Sequence, residues 1–501
     1  MSRRSLALTA AAAVSIAIAL PFAFISPHAS ATPLAGPLDR TAPYGPFGFT
    51  TQGLNTKGDL PYGEPSLAMA PDGRHLVASV PGGGGVQYWY SANNGRTWAH
   101  TQTTPFNGGG DSELDFLPDG SIVSADLRIT DSYIQRSTDF GKTWKAVGPA
   151  GLEQDRQWFA HSPDGKTEYL VYHDFVLEGE FFAKSTNGGK TWSTLQAAHP
   201  VNSPGQFTTL PASTPANNPP NTGSTASFYD QGVNTFSGPM LVDNNGKDLY
   251  VIYSISNIES NLDPSVGVPP FGPVRGLVVA HSGDGGASWT NTYADRAQPD
   301  LAQPAHESTE NSLFPWGTID KAGNVYIVFS STRGTDGSRF HLYYTVSKDK
   351  GAHWSAPLKL DTLGLTKGSA IYATGAGGSD GVLDVGWYQT DTGKPADDNS
   401  TWTVHFAQVT GATSSKPDVT QQAVTTIPNH KGGICLQGIL CGVGPGSSDR
   451  SLLDFFEVAI NPQTGLAGIV YADNNRLGPS EGQIGEVVYA AQTRGPSAFV
   501  P

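Results

Sequence analysis

The octet STNGGKTW at residues 185–192 decides the fold, because related octets recur along the chain. Each copy has Ser first, Asn or Asp third, Gly fifth and Trp eighth. The other four copies are SANNGRTW (91–98), STDFGKTW (137–144), SGDGGASW (282–289) and SKDKGAHW (347–354). A short, largely apolar segment precedes each copy, and a polar segment follows it. The octets are therefore predicted to form the turns of β-hairpins.

The residue types of the octet suit a tight turn. Ser and Asn or Asp side chains can hydrogen-bond the backbone of their own turn, and Gly supplies a positive φ. The Trp is expected to fold back and pack against its hairpin. These roles favour a structural function for the octet over a catalytic one.

A second repeated pattern consists of a strand, a Gly-containing turn and an apolar strand. Its seven copies span residues 64–79, 112–127, 155–174, 238–254, 314–330, 369–388 and 451–473. Hairpin-rich repeats of this kind indicate a radial β array. We predict an all-β fold, a seven-bladed β-propeller over residues 41–501, with FGFTTQG (47–53) as the outer strand of the last blade. Six blades are the alternative, because the sixth repeat is degenerate.

The octet is identified as the Asp-box, or BNR, motif. The chain thereby resembles the sialidase/neuraminidase superfamily of propellers from about residue 41 to 495. DRQW (155–158) and CLQGILC with DRSLLDF (435–441 and 449–455) are also similar to segments of uncharacterised secreted actinobacterial BNR-repeat proteins. The resemblance implies a propeller with five Asp-box hairpins and an activity on glycans.

Composition and the N-terminal segment bound the function. Arg3 and Arg4, an apolar stretch over 6–25 and ASA at 29–31 read as a signal peptide of residues 1–31, followed by a linker over 32–40. We expect a secreted, extracellular monomer without a stable membrane anchor. A net charge of −14 argues against nucleic acid as a partner. In an exported chain, the two cysteines, Cys435 and Cys441, are expected to form a disulfide.

Blade geometry assigns the octets and the first-to-second strand turns to one face, and the beginnings of first strands to the other. Charged and aromatic residues concentrate on this second face, as do long segments at 200–227, 257–275 and 428–449. The candidate site residues are Glu64, Glu113, Asp126, Asp155, Arg156, Trp158, His173, Asp174, Glu310, Arg333, Tyr388, Arg450 and Asp454.

Two interpretations fit these residues. In the first, Asp155, Arg156, Arg450 and Asp454 form ion pairs that join the blades. In the second, they belong to a glycan site in which Glu113 and Asp155 are the catalytic carboxylates and the remaining residues bind substrate. Carboxylates can serve as acid and as base or nucleophile on a glycosidic bond, and arginines bind carboxylate or hydroxyl groups.

The sequence departs from the sialidase pattern, which opens with an arginine in the first strand where this chain has Glu64. Arg156, Arg333 and Arg450 could still supply an arginine cluster, with Tyr388 as nucleophile. We predict a glycoside hydrolase of the sialidase superfamily. The alternatives are a non-catalytic carbohydrate- or surface-binding propeller, and a polysaccharide lyase that uses His173 and Tyr388 as base and acid. No cofactor is required, although calcium could bind among the carboxylates.

Overall fold

A computed structural model shows seven small antiparallel sheets that follow one another along the chain, so the seven-bladed propeller is confirmed and the six-bladed alternative is wrong. Its described residues contain strands and turns and no helix. The structure describes residues 36–38, 45–55, 63–82, 85–101, 110–128, 130–151, 154–174, 179–193, 233–258, 271–296, 314–333, 339–361, 368–436, 441, 449–475 and 485–499.

The strands are numbered in chain order and grouped by blade. Blade 1 contains β3 (Ser66–Met69), β4 (Leu76–Val80), β5 (Gln87–Ser91) and β6 (Ala99–Thr101). Blade 2 contains β7 (Ser112–Phe116), β8 (Ile122–Arg128), β9 (Asp131–Ser137) and β10 (Lys145–Ala150). Blade 3 contains β11 (Gln154–His161), β12 (Glu168–Asp174) and β13 (Gly179–Ser185). Blade 4 contains β14 (Val233–Val242), β15 (Leu249–Ile258), β16 (Phe271–Ser282) and β17 (Thr290–Arg296). Blade 5 contains β18 (Trp316–Ile319), β19 (Val325–Ser331), β20 (His341–Ser347) and β21 (Leu358–Lys359). Blade 6 contains β22 (Ala370–Gly377), β23 (Val382–Thr390), β24 (Thr401–Thr410), β25 (Asp418–Ala423) and β26 (His430–Lys431). Blade 7 contains β27 (Glu457–Ile460), β28 (Ala467–Asp473) and β29 (Glu486–Arg494), followed in the sheet by the N-terminal strands β2 (Gly48–Gly53) and β1 (Gly36–Leu38).

The two ends of the propeller meet in blade 7. The N-terminal strand β2 pairs antiparallel with the last strand, β29, with Gly53 opposite Val488. Asn55 extends this closure, because its Nδ2 donates to the carbonyl of Gly485 at 3.2 Å and its Oδ1 accepts from Val487 N at 3.0 Å. The prediction that residues 47–53 supply the missing strand of the last blade is confirmed.

Aromatic side chains fill the centre of the ring. Trp158 of blade 3 is fully buried and lies edge-to-face on Trp316 of blade 5, with ring centroids 5.6 Å apart. Phe455, which precedes the inner strand of blade 7, lies 5.8 Å from Trp158 on another side. Such pairs add about 0.5–1.5 kcal/mol to simple burial. Three blades that are not neighbours are thus packed together across the axis.

The octets form the predicted turns. In STDFGKTW, Ser137 Oγ accepts from Gly141 N at 2.8 Å and donates to Asp139 Oδ1 at 2.7 Å, while Thr143 N donates to the same Oδ1 at 2.9 Å. The other four octets repeat these three contacts. The fifth residue has a positive φ in all five, 82° at Gly141. Glycine at this position therefore avoids a strained backbone.

The octet Trp folds back onto its own turn, as expected. In blades 1, 3 and 5, the Trp Nε1 donates to the carbonyl of the octet glycine at 3.0–3.1 Å. Trp144 of blade 2 also contacts Tyr88 on β5 of blade 1, with ring centroids 4.7 Å apart. Trp289 of blade 4 likewise contacts Phe182 on β13 of blade 3 at 5.1 Å. These two indole rings reach the third strand of the preceding blade and therefore also join two blades.

Hydrogen bonds place the octets beside the first-to-second strand turns. Asn94 N donates to Arg74 O at 2.8 Å in blade 1, and Gly285 N donates to Lys247 O at 3.1 Å in blade 4. In blade 5, Lys350 of the octet reaches the turn of blade 4 and donates to Asp248 Oδ2 at 2.6 Å. We call this side of the propeller the Asp-box face.

Candidate functional site

The opposite side of the propeller carries a cluster of charged side chains around the axis. The inner strands run parallel to one another, so their first residues converge at one end of the channel. Blades 1, 2, 3 and 7 contribute to this group, which we call the mouth cluster: Glu64, Asp111, Glu113, Asp155, Arg156, Arg450, Asp454 and Glu457.

Arg156 lies at the base of the cluster. Its Nη2 donates to Glu113 Oε2 at 2.7 Å, and the two side chains are 1% and 12% exposed. The guanidinium carbon lies 3.6 Å from the ring centroid of Trp158 and 4.1 Å from that of Phe455. This pair joins blade 3 to blade 2, and the aromatic rings close the space beneath it.

Asp454 and Glu64 join blade 7 to blade 1. Arg450 donates to Asp454 Oδ2, and the two side chains are 17% and 7% exposed. The backbone N of Asp454 donates to Glu64 Oε1 at 3.1 Å, a contact between residues 390 positions apart. The first of the two interpretations is therefore met in part, because ion pairs and charged hydrogen bonds connect the blades here.

Burial raises the pKa of several carboxyl groups of the cluster. Burial raises the pKa of Glu64 well above its ordinary value, and Asp111 and Asp454 raise it further. Burial also raises the pKa of Asp155 to about 7; Asp111 adds to the rise, while His173 opposes it. The pKa of Glu457 is likewise raised to about 7 by burial. Neighbouring carboxylates of like charge contribute the rest of the rise in the pKa values of Glu64 and Asp155.

The backbone around the cluster is strained. Among the described residues, four of the seven non-glycine residues with positive φ lie here: Glu64 (62°), Arg156 (33°), Tyr372 (54°) and Leu453 (50°). The other three belong to octets. β-Bulges at Arg156 and Tyr372 accompany this strain. Positive φ in such residues costs about 1–3 kcal/mol and persists where the surroundings enforce it, often at functional sites.

Solvent reaches part of the cluster. Asp111, Glu113, Asp155 and Arg450 are partly exposed, whereas Glu64, Arg156, Asp454 and Glu457 are buried. A ligand that enters the mouth would thus meet two aspartates, one glutamate and one arginine.

Several predicted site residues lie elsewhere. Asp126 is fully buried between blades 1 and 2, where it accepts from Tyr88 and Gln135. Tyr388 is buried in the core, and its hydroxyl accepts from Ala472 N at 3.0 Å. Trp158 is fully buried and its indole ring packs against the Arg156 guanidinium. The structure does not bring these three side chains to the surface of the mouth.

The remaining predicted residues are held by other partners. His173, which is buried, lies 3.1 Å from Glu180 through Nδ1, and Asp174 is buried at the end of β12. Arg333 of blade 5 pairs with Asp295 of blade 4. Glu310 lies outside the described residues. Each of the three arginines expected to form a cluster thus has its own carboxylate partner.

The structure adds Tyr372 and Glu457 to the residues found from the sequence. Glu457 accepts from Leu67 N at 2.6 Å and from Ser66 Oγ at 3.1 Å, which joins blade 7 to blade 1. A charge at the beginning of an apolar inner strand was the available signal for Glu457. Tyr372 is revealed by its positive φ and by the pKa of its hydroxyl, which burial raises well above the usual range and which Asp454 and Glu64 raise further.

A disulfide lies beside the cluster. Cys435 and Cys441 are bonded, as predicted. Cys435 N donates to Asp449 O at 2.9 Å, next to Arg450, and Cys435 O accepts from the Tyr372 hydroxyl at 3.4 Å. The crosslink therefore holds one wall of the mouth. The long segments 200–227, most of 257–275 and 437–440 with 442–448 lie outside the described residues.

The described part of the chain contains neither a metal-binding cluster nor a membrane-spanning helix. No group of three or more His, Cys, Asp or Glu side chains in those ranges could hold a metal ion. In the same ranges, no helix is long and apolar enough to cross a membrane.

Comparisons with known proteins agree on the repeat. A model of the BNR/Asp-box repeat matches residues 135–146, which contain the second octet. No curated protein sequence matches the chain. The chain is therefore a seven-bladed propeller that carries BNR/Asp-box repeats.

Solved structures with a similar fold include glycan-active propellers. An α-L-arabinanase of Penicillium chrysogenum, complexed with arabinobiose, is 15% identical over 76% of this chain and 92% of its own, with a TM-score of 0.39. A PL25 ulvan lyase is 11% identical over 73% and 94%, with a TM-score of 0.41. A hydrazine synthase of Kuenenia stuttgartiensis is 13% identical over 83% and 94%, with a TM-score of 0.47. At these values, the neighbours do not indicate an activity for this chain.

Proposed function

We propose that this chain is a glycan-active propeller that cleaves glycosidic bonds at the mouth cluster, as a hydrolase of the sialidase superfamily. The observation that carries the proposal is Asp155. This carboxyl is partly exposed at the mouth, and its pKa is raised to about 7 by burial and then by Asp111. A carboxyl with a pKa near the working pH can hold a proton and deliver it.

Asp155 is assigned the role of proton donor to the leaving oxygen of the glycosidic bond. Asp111 and Glu113 are the partly exposed carboxyls that could act as base or nucleophile. Asp111 is the better candidate, since one oxygen of Glu113 already accepts from Arg156 at 2.7 Å. Most glycoside hydrolases use such a pair of carboxyls, one on each side of the scissile bond.

The predicted signal peptide and the disulfide support a site of action outside the cell. We propose that the protein works there as a monomer and without a cofactor.

A non-catalytic glycan-binding propeller is the second candidate. It is favoured by the ion pairs Glu113–Arg156 and Arg450–Asp454, which occupy groups that a catalytic site would use. A lyase that uses His173 and Tyr388 has less support, because both side chains are buried and bonded within the protein.

The test is Asp155→Asn, assayed on a panel of neutral, amino and acidic polysaccharides. Loss of general acid catalysis should lower kcat about 10²–10⁴-fold, and the melting temperature should change by only a few degrees. Asp164→Asn is the matched control, because it makes the same substitution in an exposed turn of the Asp-box face.

The outcomes separate the two candidates. Full activity in Asp155→Asn would contradict the assigned role. Glycan binding by the parent protein, without turnover of any polysaccharide in the panel, would favour the binding propeller.

A further inference from the structure

Blade 6 lacks an octet, and the register of its strands shows what stands in its place. In blades 1 to 5, the octet Ser lies opposite the first residue of the second strand. In blade 6, Thr410 lies opposite Val382, the first residue of β23. Counted from Thr410, the turn TGATSSKP (410–417) has the length of an octet and places Pro417 where the octets have Trp. Like the octets, this turn joins the third and fourth strands of its blade and so lies on the Asp-box face.

In other blades, the octet Trp fills space between neighbours. In blades 2 and 4, it contacts the residue three positions before the octet Ser of the preceding blade, as Trp144 contacts Tyr88. Tyr344 holds that position in blade 5; it is buried, and its hydroxyl donates to Ala412 O at 3.0 Å. Because Pro417 has a smaller side chain than Trp, the groove between blades 5 and 6 is less filled.

This groove is a cavity of about 630 Å³, lined by the blade 5 octet and by residues 413–415 of the blade 6 turn. The corresponding groove beside the blade 2 octet measures about 220 Å³. Both are lined by the residues one before and one, six and eight after the octet Ser. Beside blade 2, the next blade has a complete octet, and its Trp192 packs in one cluster with Ile134 of blade 2. The larger groove thus lies where the octet is missing, and ligand sites typically have volumes of about 300–1,000 Å³.

One wall of the groove carries an aromatic ring. Trp354 is partly exposed there, and Val346 and Leu358 add aliphatic surface beside it. An indole is a large, flat and mostly apolar group, on which the C–H face of a sugar ring can stack.

The rim of the groove is polar and carries both signs of charge. Ser414 and Ser415 are exposed, and each hydroxyl can donate and accept, as sugar hydroxyls do. Lys348 and Asp349 bring opposite charges to the same rim. The rim therefore favours neither an anionic nor a cationic ligand, which suits a neutral glycan.

The surrounding surface does not suit a protein partner. Among the described residues, Ile427 is the one large hydrophobic side chain that is exposed, and it does not line the groove. A stable protein interface buries about 1,200–2,000 Å² around an apolar core. An apolar groove enclosed by polar surface is instead typical of a site for a small ligand.

We propose that the groove between blades 5 and 6 is an accessory binding site for a neutral oligosaccharide, with Trp354 stacked on a sugar ring. The site lies on the Asp-box face, so it is separate from the mouth cluster and does not depend on cleavage there. The complete octets keep their structural role, and the site arises where one octet is missing.

The experiment fills the groove. Cellohexaose, xylohexaose and arabinohexaose are titrated by calorimetry into the Asp155→Asn protein, which prevents cleavage at the mouth. We expect at least one hexamer to bind. Adding Pro417→Trp should weaken this binding at least about tenfold, because the new indole occupies the groove as in other blades. Pro462→Trp is the matched control, since Pro462 is exposed in a turn of the same face, and it should bind like the parent.

A second pair of variants removes the ring instead. Trp354→Leu keeps an apolar side chain but cannot stack, so the same affinity should fall at least about tenfold. Trp192→Leu is its control, because both indoles donate to their octet glycine at 3.1 Å and both variants lose this bond. Thermal melts of all variants verify folding, and this pair tests the site even if Pro417→Trp does not fold.

Three results would overturn the inference. These are no binding of any neutral hexamer, binding that neither Pro417→Trp nor Trp354→Leu weakens, or tighter binding of a galacturonate hexamer than of the neutral ones in this groove. Cleavage of polysaccharides by the wild-type protein is measured separately. The mouth can therefore fail as a catalytic site while the groove binds glycan, and the reverse.

Discussion

The two faces of the propeller use similar residues in opposite ways. On the Asp-box face, the polar groups of Ser137, Asp139 and Gly141 form hydrogen bonds with one another within five residues of chain. At the mouth, Asp454 meets Glu64 across 390 residues. Both faces contain residues with positive φ and buried polar atoms. The difference lies in the sequence distance between partners.

That difference explains why one face looks structural and the other functional. A local turn can satisfy each of its polar groups, because all its partners arrive together on the chain. At the mouth, blades 1, 2, 3 and 7 contribute carboxyls that end up buried beside one another, with raised pKa values at Glu64 and Asp155. Groups with perturbed pKa values concentrate at functional sites.

The largest effect on stability is expected at the mouth. Arg156→Ala would leave the Glu113 carboxyl, which is only 12% exposed, without its partner; breaking a buried pair typically costs about 3–5 kcal/mol. Urea unfolding of the variant measures this loss. The double variant Glu113→Gln with Arg156→Met should recover much of it, because no unpaired charge remains. An unchanged unfolding midpoint for Arg156→Ala would show that the pair does not join blades 2 and 3.

The second prediction concerns Asp126, whose pKa is raised to about 7 by burial between two blades. The folded protein keeps this proton above the ordinary pKa of about 3.9, where the unfolded chain has lost it. Stability should therefore fall as pH rises from about 4 to 7, by about 1.4 kcal/mol for each unit of pKa shift. Asp126→Asn, which cannot ionise, should reduce this slope in melts at pH 5 and pH 8 by the contribution of one proton, while Asp155 and Glu457 keep theirs. A variant with the wild-type slope would contradict the shifted pKa.

A smaller effect is expected from the crosslink at the wall of the mouth. Replacing Cys435 and Cys441 by Ser should lower stability by about 2–3 kcal/mol, because the closed loop is short. Since Cys435 holds Asp449 and Tyr372, the same variant should weaken glycan binding. Unchanged binding would separate the disulfide from the site.

The smallest effect is expected on the Asp-box face. Ser137→Ala removes the acceptor for Gly141 N and the donor to Asp139, at about 1 kcal/mol for each net hydrogen bond. Glycan affinity and kcat should not change. A loss of activity in this variant would break the comparison between the faces, because the octet would then act beyond its own turn.

The fold was accessible from the sequence because its signals are local. Seven strand–turn–strand repeats predicted seven blades, with six as the alternative, and two cysteines six residues apart predicted the crosslink. Sequence also placed Asp155, Arg156, Arg450 and Asp454 at one end of the inner strands.

The site was less accessible because its contacts are distant. Nothing in the sequence shows that Glu113 takes Arg156, or that Arg333 is held by Asp295 in another blade. The burial of Asp126 and Tyr388 depends on which side of a strand faces a neighbouring blade. That choice is made by packing between blades, which the repeat pattern does not encode.

The closure of blade 7 by β2 also implies a delay between the synthesis of its two partner strands. Asn55 bonds Gly485 across 430 residues, and chain synthesis proceeds at about 5–20 residues per second. Roughly 20–90 seconds thus separate the appearance of the two partners. Throughout that interval, β2 lacks the strand that covers its edge in the finished ring, and an uncovered edge invites pairing with other chains. The last strand to be made, β29, is therefore the one that covers β2, and we expect the N-terminal segment to be most prone to association before β29 has been made.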